Sequence, residues 1–244
     1  MNKSLKLFAE EVGCFMAAHR GASGTEQENT LLAFQKAIEE GAEMIETDVR
    51  LSKDGIPYSY HDDEVQLNNK TIRLTELSFS EAQGIIDSVL PTLEDIVNTV
   101  RDKAYLMVEI KSDFSEASPS KGLEIARTVQ TLGYLENTLF GSFDYRILAL
   151  INHELPSANL ACIKIPNQEV KLSELNSALN AKALICSIEE LDTKLKAEAD
   201  RLGIYIGAYG INSEEQLRIA RGFGIKCIVT DYPAKIKRLM TLIQ

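Results

Sequence analysis

The sequence lacks most of the features that would tie it to a membrane, a nucleic acid or an oxidising compartment. No apolar run approaches the ~20 residues that cross a bilayer. The first eleven residues, Met1 to Glu11, are interrupted by charge too early for a secretory leader. Basic residues are outnumbered, 26 Lys and Arg against 36 Asp and Glu, and the net charge of −10 argues against binding nucleic acid or anionic membrane. The four cysteines, Cys14, Cys162, Cys186 and Cys227, show no CxxC spacing and neighbour apolar, strand-like runs. That predicts buried free thiols in a reducing compartment, and hence a soluble cytoplasmic protein with no stable membrane anchor. No Pro/Gly/Ser-rich linker divides the 244 residues, and tryptophan is absent. The first strand–helix junction lacks the GxGxxG dinucleotide fingerprint, which disfavours an open doubly wound sheet.

What is present is a regular alternation. Apolar strands are expected at Cys14–Ala18, Tyr105–Ile110, Leu139–Phe143, Leu160–Ile165, Ala183–Cys186, Ile204–Ala208 and Cys227–Thr230. Amphipathic helices fall between them: Thr30–Glu40, a stretch from Thr92 to about Arg101, Ser120–Leu132, Tyr145–His153, about Leu172–Asn180, Glu189–Leu202, Ser213–Arg221 and Pro233–Leu242. A short helix over Ser4–Val12 precedes the first strand. Such alternation means a parallel sheet covered by helices. With about eight units in 244 residues, the pattern predicts an α/β fold of the closed (β/α)8 TIM-barrel type, one domain over residues 1–244. Residues 64–90 have weak periodicity and read as a short insertion after the His61-Asp62 strand: a loop, a turn-and-helix piece starting near Ser80, and an extended approach to Pro91.

The stretch from Ile45 to Asp62 carries the densest chemistry. It reads as two strands joined at Asp54-Gly55, a dipeptide suited to a two-residue hairpin turn. That turn would set Asp48 opposite His61 and Arg50 opposite Ser59. Glu46, Asp48 and His61 would share one face; Val49, Leu51, Tyr58 and Tyr60 would share the other. Glu46 and Asp48 sit roughly 6–7 Å apart along the strand, and their carboxylates can converge on one hard cation that relieves their repulsion. Other strand ends carry polar residues too: His19-Arg20, Glu109-Ile110-Lys111, Ser142-Phe143-Asp144, Tyr209 to Asn212, and Thr230-Asp231. Asp144, Asn212 or Ser213, and Asp231 also suit helix starts. In a barrel all of these strand ends meet at one mouth.

Taken together and in order, these segments resemble the glycerophosphodiester phosphodiesterase family. The resemblance rests on the run from His19-Arg20-Gly21 to Glu28-Asn29-Thr30, on Glu46-Thr-Asp48, Lys53-Asp54-Gly55, His61-Asp62 and Glu109-Ile-Lys111, and on Ser142-Phe143-Asp144 and Thr230-Asp231-Tyr232-Pro233. It implies a metal-dependent barrel that hydrolyses small phosphodiesters. Glu46, Asp48 and Glu109 match the family's metal-binding carboxylates, and His19 and His61 its paired catalytic histidines. Arg20 matches a phosphate contact, while Glu28 and Lys111 fall at positions that help build the site. Gln27 stands where the family usually has Pro, and Tyr209 where it usually has Trp, which puts Tyr209 beside the substrate. An all-carboxylate site suits Mg²⁺ or Ca²⁺ better than zinc. Related activity on lysophospholipids and a non-catalytic phospho-ligand barrel are the alternatives within the fold. A carbon–carbon lyase barrel using Lys111 or Lys164 as a Schiff base is the alternative in another class of chemistry. His153, on an amphipathic helix, reads as a surface residue.

Overall fold

A computed structural model describes residues 3–179 and 181–242. Eleven strands follow in chain order: β1 (Phe15–Ala18), β2 (Met44–Leu51), β3 (Pro57–Ser59), β4 (Glu64–Leu67), β5 (Lys70–Arg73), β6 (Tyr105–Ile110), β7 (Thr138–Ser142), β8 (Asn159–Ile163), β9 (Ala183–Ser187), β10 (Tyr205–Tyr209) and β11 (Cys227–Thr230). Eight of them, all but β3, β4 and β5, pair in parallel, each with the next. β1 pairs with both β11 and β2, which closes the barrel.

Two apolar layers hold it. Met16, Ala18, Ile45, Val49, Leu106, Val108 and Ile228 face outward into a buried layer shared with the surrounding helices. Phe15, Ala17, Met44, Tyr105, Met107, Ala161, Ile163, Ile185, Cys227 and Val229 fill the interior with Leu5. That alternation is the period-2 consequence of strands buried on both faces. The helix Leu5–Glu11 covers the end where the strands begin. Its Phe8 ring lies 5.4 Å from Phe15 and 4.6 Å from Tyr105, centroid to centroid.

Most elements lie within one or two residues of their expected positions. The helix at 172 runs Leu172–Leu179; Asn180, its expected last residue, lies outside the described residues. The helix expected from Glu189 begins at Thr193 instead. The Asp192 side chain accepts from the Leu195 amide and caps it there, after a single 3₁₀ turn at Ile188–Glu190.

Two expectations are corrected. Residues 64–73 are not a loop but the hairpin β4–β5, turned at Asn68 and Asn69, which both have positive φ. The helix Phe79–Ile85 follows it, capped by Ser78. The register of β2 on β3 is also shifted by one from that expected. Val49 pairs with Ser59 and Arg50 with Tyr58, so Asp48 stands opposite Tyr60, whose amide donates to the Asp48 carbonyl at 3.1 Å. The cause is the turn. A two-residue type I′ turn needs positive φ at both central residues, but only Gly55 has it, at 80°. The result is a three-residue loop, Lys53-Asp54-Gly55, closed by the Gly55 amide on the Ser52 carbonyl and the Ser52 amide on the Ile56 carbonyl. The Asp54 carboxylate is held by Ser52 Oγ and by the Phe79 amide at the start of the inserted helix.

Candidate active site

The site begins where β2 and β6 run side by side. Their register sets Asp48 directly beside Glu109, with Glu46 two residues earlier on the same face as Asp48. Glu46, Asp48 and Glu109 each offer an oxygen within 4.8 Å of the others. Glu46 and Asp48 are buried. Glu46 Oε1 is buried with no hydrogen-bond partner, and burial together with the Asp48 charge pushes the Glu46 pKa up to about 8. Burial disfavours the charged form of Asp48 as well, but Lys111 and Arg20 outweigh it and hold the Asp48 pKa below its ordinary value.

Those two cations are built into the cluster. Lys111 Nζ lies against Glu109 Oε1 and 2.8 Å from Asp48 Oδ1. Arg20 donates from its backbone amide to Glu46 Oε2 at 2.9 Å, and from Nη1 to both oxygens of Glu28; its Nε is 3.0 Å from Asp48 Oδ2. Arg20 has φ of 55°, followed by Gly21 at 81°. This consecutive left-handed pair turns the chain sharply off β1. A Cβ at Gly21 would stand 2.6 Å from the Ala33 backbone, so no larger residue fits there. Four carboxylates (Glu28, Glu46, Asp48 and Glu109) thus face two permanent cations. The excess negative charge, the all-oxygen donor set and the orphaned Glu46 oxygen fit a hard divalent cation.

The mouth above is a cavity of about 180 Å³. Both expected histidines line it, together with Arg20, Glu46, Glu109, Lys111, Phe143 and Tyr209. His61 reaches the cavity despite the register shift, because β3 ends at Ser59 and strand alternation no longer sets its direction. Nδ1 of His61 pairs with Asp62 at 2.7 Å on the open side, and the imidazole is 39% exposed. His19 is more enclosed. Its Nδ1 pairs with Asp231 Oδ1 at 2.7 Å. Burial lowers the His19 pKa, but the Asp231 bond and the Glu46 charge more than reverse that, and the net shift is upward.

Two residues had been passed over in the sequence. Asn29, quoted only as part of a run, is a buried hub. Its Nδ2 donates to Asp48 Oδ2 at 2.9 Å, and its Oδ1 accepts from Thr47 and Ser59. Asp231, expected at the mouth and as a helix start but given no catalytic role, fixes His19 and is itself held by Ser23 Oγ and Asn212 Nδ2. An Asn before a helix cap and an Asp before a Pro are both common loop chemistry, so neither carried a local signal. Asp144 does cap its helix, accepting from the Arg146 amide. His153 is exposed, as expected. Lys164 is ion-paired with Glu190 at 2.6 Å and is not among the residues lining the cavity, which leaves a Schiff-base role there without support.

Fold and mouth together define a (β/α)8-barrel enzyme, with its polar groups gathered at the carboxyl ends of the strands. A family model described as the glycerophosphoryl diester phosphodiesterase family matches residues 19–235, and the chain belongs to that family. YhdW of Bacillus subtilis is 28% identical over 232 residues, covering 90% of this chain and 95% of its own length. A glycerophosphodiester phosphodiesterase of Bacillus altitudinis is 26% identical over 250 residues, covering 91% and 96%. The structure of an Oleispira antarctica phosphodiesterase in complex with the product sn-glycerol-3-phosphate matches with a TM-score of 0.81 at 23% identity, over 93% of this chain and 96% of that one. Among the described residues no helix is long and apolar enough to cross a membrane.

Proposed function

We propose that this protein hydrolyses glycerophosphodiesters to sn-glycerol 3-phosphate and a free alcohol, in the cytoplasm, with a divalent cation, Mg²⁺ or Ca²⁺, held by Glu46, Asp48 and Glu109. The observation that carries the reading is that two imidazoles border one small cavity together with Glu46 and Glu109 of the three-carboxylate cluster. Four unpaired cysteines are consistent with a reducing compartment. When bound, the cation would neutralise charge on a non-bridging phosphate oxygen. The remaining work falls to side chains. Arg20, steadied at Nη1 by Glu28, has Nη2 left for a phosphate oxygen. Lys111 adds a point charge beside it.

His19 and His61 each have Nδ1 committed to a carboxylate, so each keeps its proton there and uses Nε2 for proton transfer. One removes the proton from the attacking oxygen, whether water or the glycerol 2-hydroxyl. The other delivers a proton to the departing alcohol. Tyr209 lines the cavity with a ring and a hydroxyl, suited to the glycerol end.

The test is product release from a panel of glycerophosphodiesters, with added Mg²⁺ or Ca²⁺ and with EDTA. The expected result is sn-glycerol 3-phosphate from several head groups, abolished by EDTA. Cleavage of lysophospholipids alone would move the substrate assignment. No cleavage of any diester, with retained phosphate binding, would make this a binding barrel.

A further inference from the structure

Arg50 is the third outlet of the strand that carries Glu46 and Asp48, and nothing above gives it a task. It is only 9% exposed, an unusual place for a guanidinium without a specific partner. Its chief partner is the backbone of a histidine. Nε donates to the His61 carbonyl at 3.2 Å and Nη2 to the same oxygen at 2.6 Å. Nη1 lies 3.8 Å from Asp63 Oδ1. Asp63 is fixed in turn: its Oδ1 accepts from the Thr75 amide and hydroxyl, and its carbonyl accepts from the Leu74 amide.

The β2–β3 ladder ends before His61; beyond Ser59 its last bond is that of the Tyr60 amide to the Asp48 carbonyl. The imidazole has one side-chain partner, the exposed Asp62. What holds the His61 carbonyl itself to the carboxylate strand, one residue past that bond, is the Arg50 fork. A fork suits this task because two N–H groups converge on one oxygen while the third nitrogen reaches Asp63; an ammonium offers only one point of charge. We infer that Arg50 is the positioning residue for His61, setting where its imidazole stands over the Glu46–Asp48–Glu109 cluster. The inference rests on the reading of His61 as a proton-transfer residue.

Arg50→Met, Arg50→Lys and His61→Ala, with the double variant Arg50→Met/His61→Ala, test it on the full chain with a glycerophosphodiester substrate. Arg50→Met should lower kcat about tenfold or more, since a misplacement near 1 Å costs that much or beyond. KM and Mg²⁺ affinity by calorimetry should stay within about threefold. Arg50→Lys should recover part of the loss. In the His61→Ala background, Arg50→Met should change kcat by less than about twofold, because a residue acting only through His61 has nothing left to position. Circular dichroism and melting check each fold, and should Arg50→Met not fold, Arg50→Lys carries the same cycle. Unchanged kcat in the Arg50 variants, an equal loss with and without His61, or a large loss of Mg²⁺ affinity would each overturn the inference. Full turnover in His61→Ala would instead remove the reading of His61, and this inference with it.

Discussion

The imidazole of His19 and the carboxylate of Asp231 meet at 2.7 Å across 212 positions of sequence, joining the first strand of the barrel to the last. The bond to His19 lowers the Asp231 pKa, while the His19 pKa is raised. The signs fix the window in which the pair stabilises the fold. The Asp231 contribution is lost as pH falls through its lowered folded pKa. The His19 contribution is lost as pH rises through its raised folded pKa. Asp231→Asn should lower the His19 pKa and reduce turnover by about 10–100-fold. With three histidines in the chain, NMR titration can follow each one. An unmoved His19 titration would show that Asp231 does not tune it.

Proton transfer and metal binding should separate cleanly. His19→Ala and His61→Ala are each expected to lower turnover by about two orders of magnitude or more, with metal affinity intact. Calorimetry with Mg²⁺ and Ca²⁺ beside the kinetics decides this. A His variant with near-normal turnover would make that residue structural.

Glu46 should report the cation directly. With its pKa near 8 in the metal-free protein, against an ordinary 4.5, Glu46 holds a proton in the folded state that the unfolded state has released. Metal-free stability should therefore fall as pH rises between those values. A divalent cation should reverse the trend, raise Tm and release close to one proton near neutral pH, read by calorimetry in buffers of different ionisation enthalpy. Glu46→Gln should weaken metal affinity, with activity partly recovered at high metal concentration. Metal binding with no proton release would contradict the assignment.

Asn29 should be irreplaceable even by its nearest isostere. Asn29→Asp exchanges an N–H that bonds the Asp48 carboxylate for a second buried carboxylate beside it. A loss of about 2–3 kcal/mol is expected in urea unfolding. A variant as stable as the parent would mean that the hub is solvated or rearranged.

Tyr209 bears on the substrate. Tyr209→Ala should raise KM by similar factors for every glycerophosphodiester cleaved, because a glycerol-side contact is common to all of them. If one head group alone suffers, Tyr209 lines the leaving-group side.

The barrel was legible because its strands are apolar on both faces. Tyr105–Ile110 and Cys227–Thr230 have the expected ends, and Thr92 starts its helix as expected, with Asp95 completing the capping box. The hairpin at 64–73 was not legible, since its strands are four residues each and largely exposed, too short for the alternation of Val65 and Leu67 to stand out, and its Asn68-Asn69 turn reads as ordinary loop. Lys53-Asp54-Gly55 fits a two- or a three-residue loop equally well. What separates the two is whether Asp54 takes a positive φ, and it does not; its carboxylate is held by Ser52 Oγ and the distant Phe79 amide. His19, Arg20, Glu46, His61, Glu109, Lys111 and Tyr209 line the mouth, with Asp48 and Glu28 in contact with Arg20, but Asp231, Asn29 and Arg50 act through contacts that no local spacing announces.

The N-terminal helix stacked on Phe15 and Tyr105 has a consequence for traffic through the enzyme. Interior side chains fill the barrel between that helix and the mouth, and Ile185 lines both the mouth and a cavity of about 560 Å³ on the helix side. A substrate bound among His19, His61 and Tyr209 would meet the site from the carboxyl end of the strands, where those residues line the cavity.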